Sequence, residues 1–389
     1  MSWPLVKLQE ITEVIDYGLT ASAQKDCDGP LFLRITDLVE NGVDWSKVPR
    51  CVCDEKKKQK NLLQSGDIVF ARTGATTGKS YLIRELAEDT VFASYLIRVR
   101  PNRNVCSSYL AHFFKSPNYW HQIGGMSTGA TLPGVNATKL SELQLPLPPL
   151  EEQKRIAAIL DKADAIRQKR KQTIDLANDF LRSVFLDMFG DPVTNPKGWE
   201  VKNLGSICQC INGDRSSNYP SGSDLVEDGV LFLSTKNIVN NELDLTHQQF
   251  ITNEKFKSLG RGKLLPNDMV ITLRGTLAQC ALFECMHRTG FINAQLMIVR
   301  SGTEILPEFL HSLMTSKGFN KELKELGNGA AVPQLTGKQI NELNIILPPI
   351  DIQEKFLVAR KIVRKMVLKQ GSVPELFGSL SQKAFSGQL

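Results

Sequence analysis

The stretch LPLPPLEEQKRI at residues 145–156 decides the fold, because it ends one kind of structure and begins another. Its adjacent prolines, Pro148 and Pro149, block both strand pairing and helix continuation. Glu151 and Glu152 follow in a first helical turn, where the helix dipole favours negative charge. From there to Phe189 the sequence has neither glycine nor proline. The stretch therefore predicts the end of a globular domain and the start of a long helix.

This stretch belongs to an internal repeat. It returns as IILPPI at residues 345–350, and three other segments recur at nearly the same offset of 200: LFLRITDL (31–38) as LFLSTKNI (231–238), GDIVFARTG (66–74) as NDMVITLRG (267–275), and GATLP (129–133) as GAAVP (329–333). Phe185 corresponds to Phe385, and Trp3 and Trp199 each open a short strand-like run. So long a period excludes a solenoid and indicates duplication of a whole domain with its helix. The repeat alone leaves open whether the two domains share a function.

Each copy predicts a mixed domain followed by a long helix. Its β-rich runs include Leu31–Ile35, Asp67–Ala71 and Val91–Val99, and its short helices include Ser107–Phe114 and Pro307–Leu313. The predicted fold class is α+β. Two globular domains, 1–148 and 190–347, are in tandem repeat, and the segments 149–189 and 348–389 are the helices that follow them.

Apolar residues follow heptad spacing along the first long helix. The predicted seam consists of Ile156, Ile159, Ala163, Ile166, Thr173, Ala177, Phe180 and Val184. About 39 residues would form a rod of roughly 58 Å. The second helix has the same spacing from Ile352 to Met366, and Gly371 and Pro374 are predicted to break it. The two helices are predicted to pair as an antiparallel coiled coil; the alternative is two ordinary core helices packed on their own domains.

Composition places the chain among ordinary globular proteins, with 42% hydrophobic and 23% charged residues. No signal-peptide pattern and no apolar run of ~18 residues is present, so a cytoplasmic location is expected. The eight cysteines are then expected to be reduced structural thiols, with a metal site as the alternative for the close pairs Cys51/Cys53 and Cys208/Cys210. A net charge of +6 is modest for a protein that binds DNA alone, so DNA binding would need clustered basic residues or help from partners.

No catalytic motif emerges from the sequence. TGATTGKS at residues 73–80 resembles a phosphate-binding loop, but only three residues separate Gly74 from Gly78, whereas that loop needs four. Nucleophile-elbow, zinc-protease and dinucleotide-binding patterns are missing, and the five histidines lack metal-ligand spacing. We therefore expect a non-catalytic chain without a metal. An enzyme stays the alternative, and it would require a cofactor motif.

Polar loop residues at matched positions of the two copies are candidates for DNA contact. Arginine pairs with guanine, and asparagine or glutamine pairs with adenine, in the major groove. The alternative for each residue is a solvated surface side chain. The candidates are Arg34, Thr36, Arg72, Thr73, Thr76, Lys79, Ser94 and Thr128 in the first copy, and Thr235, Lys236, Asn237, Arg274, Thr276, Gln279, Asn293 and Gln295 in the second.

Over essentially its whole length the chain resembles the specificity subunits of type I restriction–modification enzymes. The most specific similarity is the proline-to-helix stretch 145–156 and its second copy, LPPIDIQE at residues 347–354. The segments Arg34–Leu38, Gly66–Gly78, Gly129–Pro133 and Ala384–Leu389 are also similar to the family pattern.

The resemblance implies two target-recognition domains, each reading one half of a bipartite, asymmetric DNA site, with the helix pair setting the gap between the halves. It also implies docking of two methyltransferase subunits, which bind S-adenosylmethionine and methylate adenine, and a motor–nuclease subunit as an optional partner. No cofactor is expected in this chain. The docking candidates that the resemblance suggests are Glu151, Gln153, Arg155, Gln353 and Lys355.

The second copy departs from the first at its helix. It reads Asp351-Ile352-Gln353-Glu354 where the first copy has Glu-Glu-Gln-Lys, and its last 40 residues carry seven basic and three acidic side chains. Together with the predicted break at Gly371 and Pro374, these differences predict unequal helices. A protein–protein scaffold that uses its coiled coil without touching DNA is the remaining alternative.

Overall fold

The structure, a computed structural model, describes residues 3–39, 42–74, 76–126, 134–214, 219–328, 333–369 and 373–389. The chain forms two compact units by contact: unit 1 comprises residues 1–172 and 370–389, and unit 2 comprises residues 173–369. Each unit holds one of the two predicted globular domains. The domain boundaries predicted from the sequence, at residues 148, 189 and 347, separate globular domains from helices. The boundary between the two compact units instead falls within the first long helix.

The first globular domain consists of short strands with four short helices. Its strands are β1 (Leu5–Lys7), β2 (Thr12–Tyr17), β3 (Leu31–Leu33), β4 (Leu38–Val39), β5 (Gly42–Val43), β6 (Ile68–Ala71), β7 (Ser80–Leu82), β8 (Thr90–Phe92), β9 (Leu96–Pro101) and β10 (Gln144–Pro146). Its α-helices are α1 (Glu55–Asn61), α2 (Ser107–Phe113), α3 (Pro117–Met126) and α4 (Ala137–Ser141). The predicted long helix follows as α5 (Leu150–Phe189), with 40 residues.

The second globular domain repeats this order. Its strands are β11 (Val201–Asn203), β12 (Cys208–Asn212), β13 (Leu225–Val226), β14 (Val230–Leu233), β15 (Ile238–Val239), β16 (Glu242–Leu243), β17 (Phe250–Ile251), β18 (Lys263–Leu264), β19 (Met269–Thr272), β20 (Cys280–Leu282), β21 (Gly290–Ile292), β22 (Leu296–Ser301) and β23 (Asn344–Ile346). The helices of this domain are α6 (Leu204–Ile207), α7 (Asn253–Ser258), α8 (Pro307–Met314), α9 (Lys317–Gly327) and α10 (Gly337–Asn341). Helices α11 (Ile350–Lys369) and α12 (Val373–Ser386) follow. Of the two residues predicted to break the second long helix, Gly371 lies outside the described residues and Pro374 is the second residue of α12, so the break stays a prediction.

A four-stranded antiparallel sheet occurs in each unit, with the same strand order and register. The order is β2-β9-β6-β7 in unit 1 and β12-β22-β19-β20 in unit 2. Ile68 faces Val99 in the first sheet, and Met269 faces Val299 in the second. These pairs have the offsets of the sequence repeat, so the duplication is confirmed at the level of backbone pairing. A parallel pair, β3 with β8 or β14 with β21, lies beside each sheet.

One predicted strand is wrong. The run Val91–Val99 is not continuous: β8 ends at Phe92 and β9 begins at Leu96. The two strands belong to different sheets, because β8 pairs with β3 whereas β9 pairs with β2 and β6. Residues 93–95 form the turn between them, and an apolar, β-branched run on both sides conceals that turn in the sequence.

The long helix α5 contributes to the cores of both units, one end to each. Ile156 and Leu160 are buried in the core of unit 1, and Phe185 and Phe189 are buried in the core of unit 2. Between these ends, Ile166 and Phe180 of the predicted seam are 50% and 58% exposed. The antiparallel pairing of α5 with α11 along their length therefore stays a prediction.

The correspondence of Phe185 with Phe385 holds in three dimensions. In unit 2, the ring centroid of Phe185 lies 5.9 Å from that of Phe309 on α8. In unit 1, the ring centroid of Phe385 on α12 lies 5.4 Å from that of Tyr109 on α2. Each globular domain is thus completed by an aromatic residue at the end of a long helical segment. No helix in the described ranges is both long and apolar enough to cross a membrane.

Candidate nucleic-acid interface

Four loops of unit 1 meet at one end of its strands. They follow β2, β3, β6 and β8, and the loop after β8 is the turn at residues 93–95. The N–H of Ser94 donates to the Leu19 carbonyl at 3.0 Å, that of Ala93 to Leu33 at 2.9 Å, and that of Arg72 to Tyr95 at 3.1 Å. We call these loops, with residues 18–19, 34–37, 72–74, 76–79 and 93–95, the loop face of unit 1. This face brings together every candidate of the first copy except Thr128, which lies outside the described residues.

Arg34 is held at the loop face by a carboxylate. It is the residue before a single 3₁₀ turn, Ile35–Asp37, and Asp37 accepts a hydrogen bond from its backbone N–H at 2.9 Å. The Arg34 guanidinium donates from Nε to Asp37 Oδ2 at 3.0 Å and from NH2 to Oδ1 at 2.7 Å. This pair raises the pKa of Arg34 and orients its planar fork. The neighbouring Thr36 is exposed.

Arg72 is held differently, by an aromatic ring. Its guanidinium carbon lies 4.9 Å from the ring centroid of Tyr17, a distance that permits a cation–π interaction. The Tyr17 hydroxyl accepts a hydrogen bond from the Ala137 N–H at 3.0 Å, so the ring itself is fixed. In the part of the following loop that the structure describes, Thr73 and Lys79 are exposed and Thr76 is half-buried. These polar groups can reach a ligand that approaches the loop face.

Unit 2 has the equivalent loop face, residues 213–214, 234–237, 273–279 and 293–295. The Leu273 N–H donates to the Gln295 carbonyl at 2.8 Å, and the Thr235 hydroxyl lies 3.5 Å from Gln295 Oε1. Arg274, Thr276, Lys236 and Gln295 are exposed on this face. The structure therefore brings the exposed candidates of the second copy together as it does those of the first.

Two candidates in unit 2 are wrong as DNA contacts, because their side chains are buried and engaged with their own chain. Asn237 is 6% exposed; its amide accepts from the Ser234 N–H and donates to the carbonyls of Asp244 and His247. Asn293 is 9% exposed and accepts from the Gln295 N–H at 3.0 Å. Burying a polar group is tolerable only with such partners, so both amides have a structural role.

The side chain of Gln279 is also partly engaged in a hydrogen bond with its own unit. Its Oε1 atom accepts a hydrogen bond from the Asn241 N–H at 2.9 Å, and its side chain is half-buried. Ser94 is also half-buried, although no side-chain partner fixes it among the described hydrogen bonds. Both side chains belong to the loop faces, but they are less accessible to a ligand than the exposed candidates.

One exposed residue of the loop face was missed by sequence reasoning. Tyr95 is 64% exposed at the tip of the turn between β8 and β9. Its counterpart at offset 200 is Gln295, which the sequence did single out. Applying the repeat offset in both directions would have found Tyr95. An exposed aromatic side chain beside polar loops is a feature of surfaces that contact bases and sugars.

Two of the docking candidates are wrong for the same reason, burial. Gln153 is 1% exposed; its Oε1 accepts from the Cys106 N–H at 2.9 Å and its Nε2 donates to the Pro148 carbonyl at 2.8 Å. Gln353 is fully buried and makes the corresponding bonds with Leu306 and Pro348. Each glutamine ties the start of its long helix to its globular domain and is unable to reach a partner protein.

The other docking candidates are on the surface. Glu151 accepts from Lys154 at 2.8 Å, and Lys355 lies 3.4 Å from Asp351. Arg155 is exposed and donates to Glu152 at 2.7 Å and to the Leu389 carbonyl at 2.8 Å. Surface pairs of this kind contribute little stability and exchange easily with a partner.

The buried cysteine thiols stay protonated near pH 7. Burial raises the pKa of Cys51, Cys208 and Cys280 to about 12, which disfavours the thiolate needed for metal binding. In the ranges that the structure describes, no group of three or more histidine, cysteine, aspartate or glutamate side chains is arranged to hold a metal ion. Burial also lowers the pKa of His311 to about 4, so this histidine is neutral near pH 7.

Comparison with known proteins agrees with the fold and the repeat. The family described as the type I restriction modification DNA specificity domain matches residues 2–176 and again residues 196–358. The EcoKI specificity subunit of Escherichia coli K12 is 24% identical, covering 100% of this chain and 89% of that protein. The StySPI specificity subunit of Salmonella potsdam is 24% identical over 90% of this chain and 81% of its own length.

A solved structure has the same architecture. The specificity subunit of a type I restriction–modification system from M. genitalium superposes with a TM-score of 0.61 at 14% identity, covering 99% of this chain and 96% of that one. At this identity the likeness concerns the fold alone. The family model matches the sequence twice, and the two matches together cover most of the chain, which establishes family membership. The chain belongs to the type I restriction–modification specificity subunits.

Proposed function

We propose that each unit reads one half of a bipartite, asymmetric DNA site through its loop face, and that the chain performs no catalysis itself. The long helices set the distance between the two halves and dock methyltransferase subunits. Those subunits bind S-adenosylmethionine and methylate the DNA, and a motor–nuclease subunit is an optional further partner. Double-stranded DNA is the ligand of the loop faces.

The observation that carries this proposal is one backbone frame with different exposed side chains. At the tip of the turn, Tyr95 in unit 1 is replaced by Gln295 in unit 2. At the end of the preceding loop, the exposed Lys79 is replaced by the half-buried Gln279. The backbone is nevertheless the same, since the N–H groups of Ala71 and Thr272 donate to the Lys79 and Gln279 carbonyls at 2.9 Å in both units. Two readers of different half-sites need this combination of a shared frame and different side chains.

The arginines of the two loop faces illustrate the difference. The N–H groups of Arg72 and Leu273 donate to the carbonyls of Tyr95 and Gln295, so Arg72 corresponds to Leu273, which is buried. Arg274 instead occupies the position of Thr73. Because successive side chains point to opposite sides of an extended segment, the two arginines approach a ligand from different directions. The two units are therefore expected to read different bases.

Exposed apolar residues on the helices support docking of partner subunits. Val358, Ile362 and Met366 are 60%, 52% and 55% exposed on α11, spaced four residues apart on one helical face. Leu176 and Phe180 of α5 are 68% and 58% exposed. Apolar side chains at helical spacing favour an amphipathic or helical partner surface. Docking is expected on these faces rather than at the buried glutamines.

A domain exchange tests the proposal directly. The chain is combined with its methyltransferase subunits, and methylated sequences are identified in a randomised DNA library. Replacing residues 1–145 by those of another specificity subunit should change one half of the methylated site and leave the other half unchanged. Methylation without sequence preference in the unmodified complex, or a change in both halves after the exchange, would contradict the proposal.

Single substitutions test the loop faces. Arg72→Ala and Arg274→Ala should each weaken or relax recognition of one half-site only, by about 1–3 kcal/mol if the contact is bidentate. Arg103→Ala is the matched control, because Arg103 is exposed beyond the opposite end of β9. Affinity is measured by titration on the identified site and on variants with one base pair changed. An equal loss on all sequences would assign the arginine to a phosphate contact instead.

A further inference from the structure

Both units close the same short turn at the loop face with an acceptor three residues on. The Arg34 N–H donates to Asp37 Oδ2 at 2.9 Å in unit 1, and the Ser234 N–H donates to Asn237 Oδ1 at 3.0 Å in unit 2. Both acceptor side chains are buried. Since an amide closes the turn in unit 2, the turn itself does not require a carboxylate. The negative charge of Asp37 therefore has a role other than closing the turn.

The carboxylate of Asp37 also binds the guanidinium of Arg34. Asp37 accepts from Nε at 3.0 Å and from NH2 at 2.7 Å, a bidentate arrangement. The Asp37 side chain is 5% exposed, whereas that of Arg34 is 38% exposed. The pair uses the edge of the guanidinium formed by Nε and one terminal nitrogen. The edge formed by the two terminal nitrogens can still donate two parallel hydrogen bonds, and within the described residues it has no partner.

Arg34 lies on the loop face of unit 1, next to the turn at residues 93–95. It directly follows Leu33, whose carbonyl accepts from the Ala93 N–H at 2.9 Å, so it is adjacent to the turn that carries Tyr95. In unit 2 the equivalent turn touches Gln295 through Thr235. Guanine presents two acceptors, O6 and N7, at the spacing that two parallel guanidinium N–H bonds require.

We propose that Asp37 is a positioning residue that orients Arg34 to read a guanine in the major groove of the half-site recognised by unit 1. The inference rests on the proposed function, because it assigns one base contact within it. A free arginine loses rotamer freedom when it binds, whereas an arginine already held by a buried carboxylate has lost that freedom on folding. Unit 2, with Ser234 and Asn237, has no equivalent reader at this position.

The test uses Asp37→Asn in the full chain with its methyltransferase subunits. Asparagine preserves the turn, as unit 2 demonstrates, but removes the charge and the bidentate pair. Methylation is measured on the identified site and on every single-base variant of both half-sites. We expect discrimination at one guanine of the unit 1 half-site to fall about five- to a hundredfold, with the unit 2 half-site unchanged. Arg34→Ala should abolish discrimination at the same guanine, and the double variant should be no worse than Arg34→Ala alone.

Two controls keep the outcome interpretable. Asp54→Asn makes the same change at an exposed aspartate outside the loop face, where Asp54 accepts from the Lys57 N–H at 2.8 Å at the start of α1, and should leave base preference unchanged. Replacing the guanine by 7-deazaguanine removes the N7 acceptor without altering the protein. That replacement should weaken the unmodified chain and leave Arg34→Ala unaffected, so it tests the contact even if Asp37→Asn folds poorly.

The outcomes separate the inference from the proposed function. Absence of any sequence preference in the unmodified complex would refute the proposed function. If preference exists, the inference fails when a folded Asp37→Asn variant retains discrimination at every base pair of the half-site. It also fails when that variant weakens methylation equally on all sequences, because Arg34 would then contact phosphate. Insensitivity of the unmodified chain to 7-deazaguanine at every guanine of the half-site would exclude the bidentate contact itself.

Discussion

Replacing Gln353 by leucine should destabilise unit 2 rather than abolish a surface contact. Gln353 is fully buried, and its side chain makes three hydrogen bonds to backbone groups. Oε1 accepts from the Leu306 N–H at 2.9 Å, while Nε2 donates to the carbonyls of Glu304 at 3.1 Å and Pro348 at 2.8 Å. Leucine fills similar space but pairs with none of these groups.

The magnitude follows from the number of groups left without a partner. Each buried donor or acceptor that loses its bond costs about 1–3 kcal/mol, and burial of the apolar leucine recovers part of that loss. We expect Gln353→Leu to lower the free energy of unfolding by about 2–5 kcal/mol, a large part of a typical domain's stability. Gln153→Leu should cost about 1 kcal/mol less, since Gln153 makes two such bonds.

The assay combines urea unfolding with binding of methyltransferase subunits by the folded variant. Lys355→Ala is the matched control, because Lys355 is exposed on the same helix and should leave the unfolding free energy within about 0.5 kcal/mol. The reasoning would be refuted if Gln353→Leu unfolded at the same urea concentration as the unmodified chain but failed to bind those subunits. In that case the glutamine would act in docking, as the sequence resemblance had suggested.

Two further predictions concern buried positions. Burial, with the nearby charge of Arg360, lowers the pKa of His311 from 6.5 to about 4. The unfolded chain therefore takes up a proton near pH 6.5 that the folded chain refuses, so stability is lost as the pH falls from about 6.5 to about 4, by up to roughly 3 kcal/mol. Urea unfolding at several pH values should reveal this slope, and His311→Gln should flatten it; an unchanged slope would assign it to other groups. Gly18→Ala would place a Cβ atom 2.2 Å from the Phe92 carbonyl oxygen, so it should cost about 1–3 kcal/mol and disturb recognition by unit 1. The control Gly124→Ala meets nothing within 4 Å in α3 and should be neutral or stabilising in thermal unfolding; equal effects of the two glycine changes would contradict the steric argument.

Much of the fold could be predicted from the sequence, because the repeat and the double prolines report on backbone structure. The start of the long helix at Leu150 and its unbroken course to Phe189 both follow from local rules of helix initiation and termination. The turn at 93–95 could not be found in this way. Its flanking residues suit a single buried strand, and only the assignment of β8 and β9 to different sheets separates them.

The candidate site was predicted less well, since residue type does not reveal burial. Asn237 and Gln353 have side chains that suit DNA or protein contacts, yet each satisfies buried backbone groups of its own unit. Asp37 presents the opposite case. As a short acidic residue in a turn it is unremarkable in the sequence, and only its geometry beside Arg34 suggests a role in recognition.

The composition of unit 1 has a consequence for the order in which the protein folds during synthesis. Unit 2 is one continuous segment, residues 173–369, and can form its core as soon as that segment has left the ribosome. The core of unit 1 needs Phe385, which packs between Tyr109 and Phe113. Domains usually fold from the N-terminus as they emerge. Here the core of unit 1 must wait, incomplete, for a helix that is translated after the whole of unit 2.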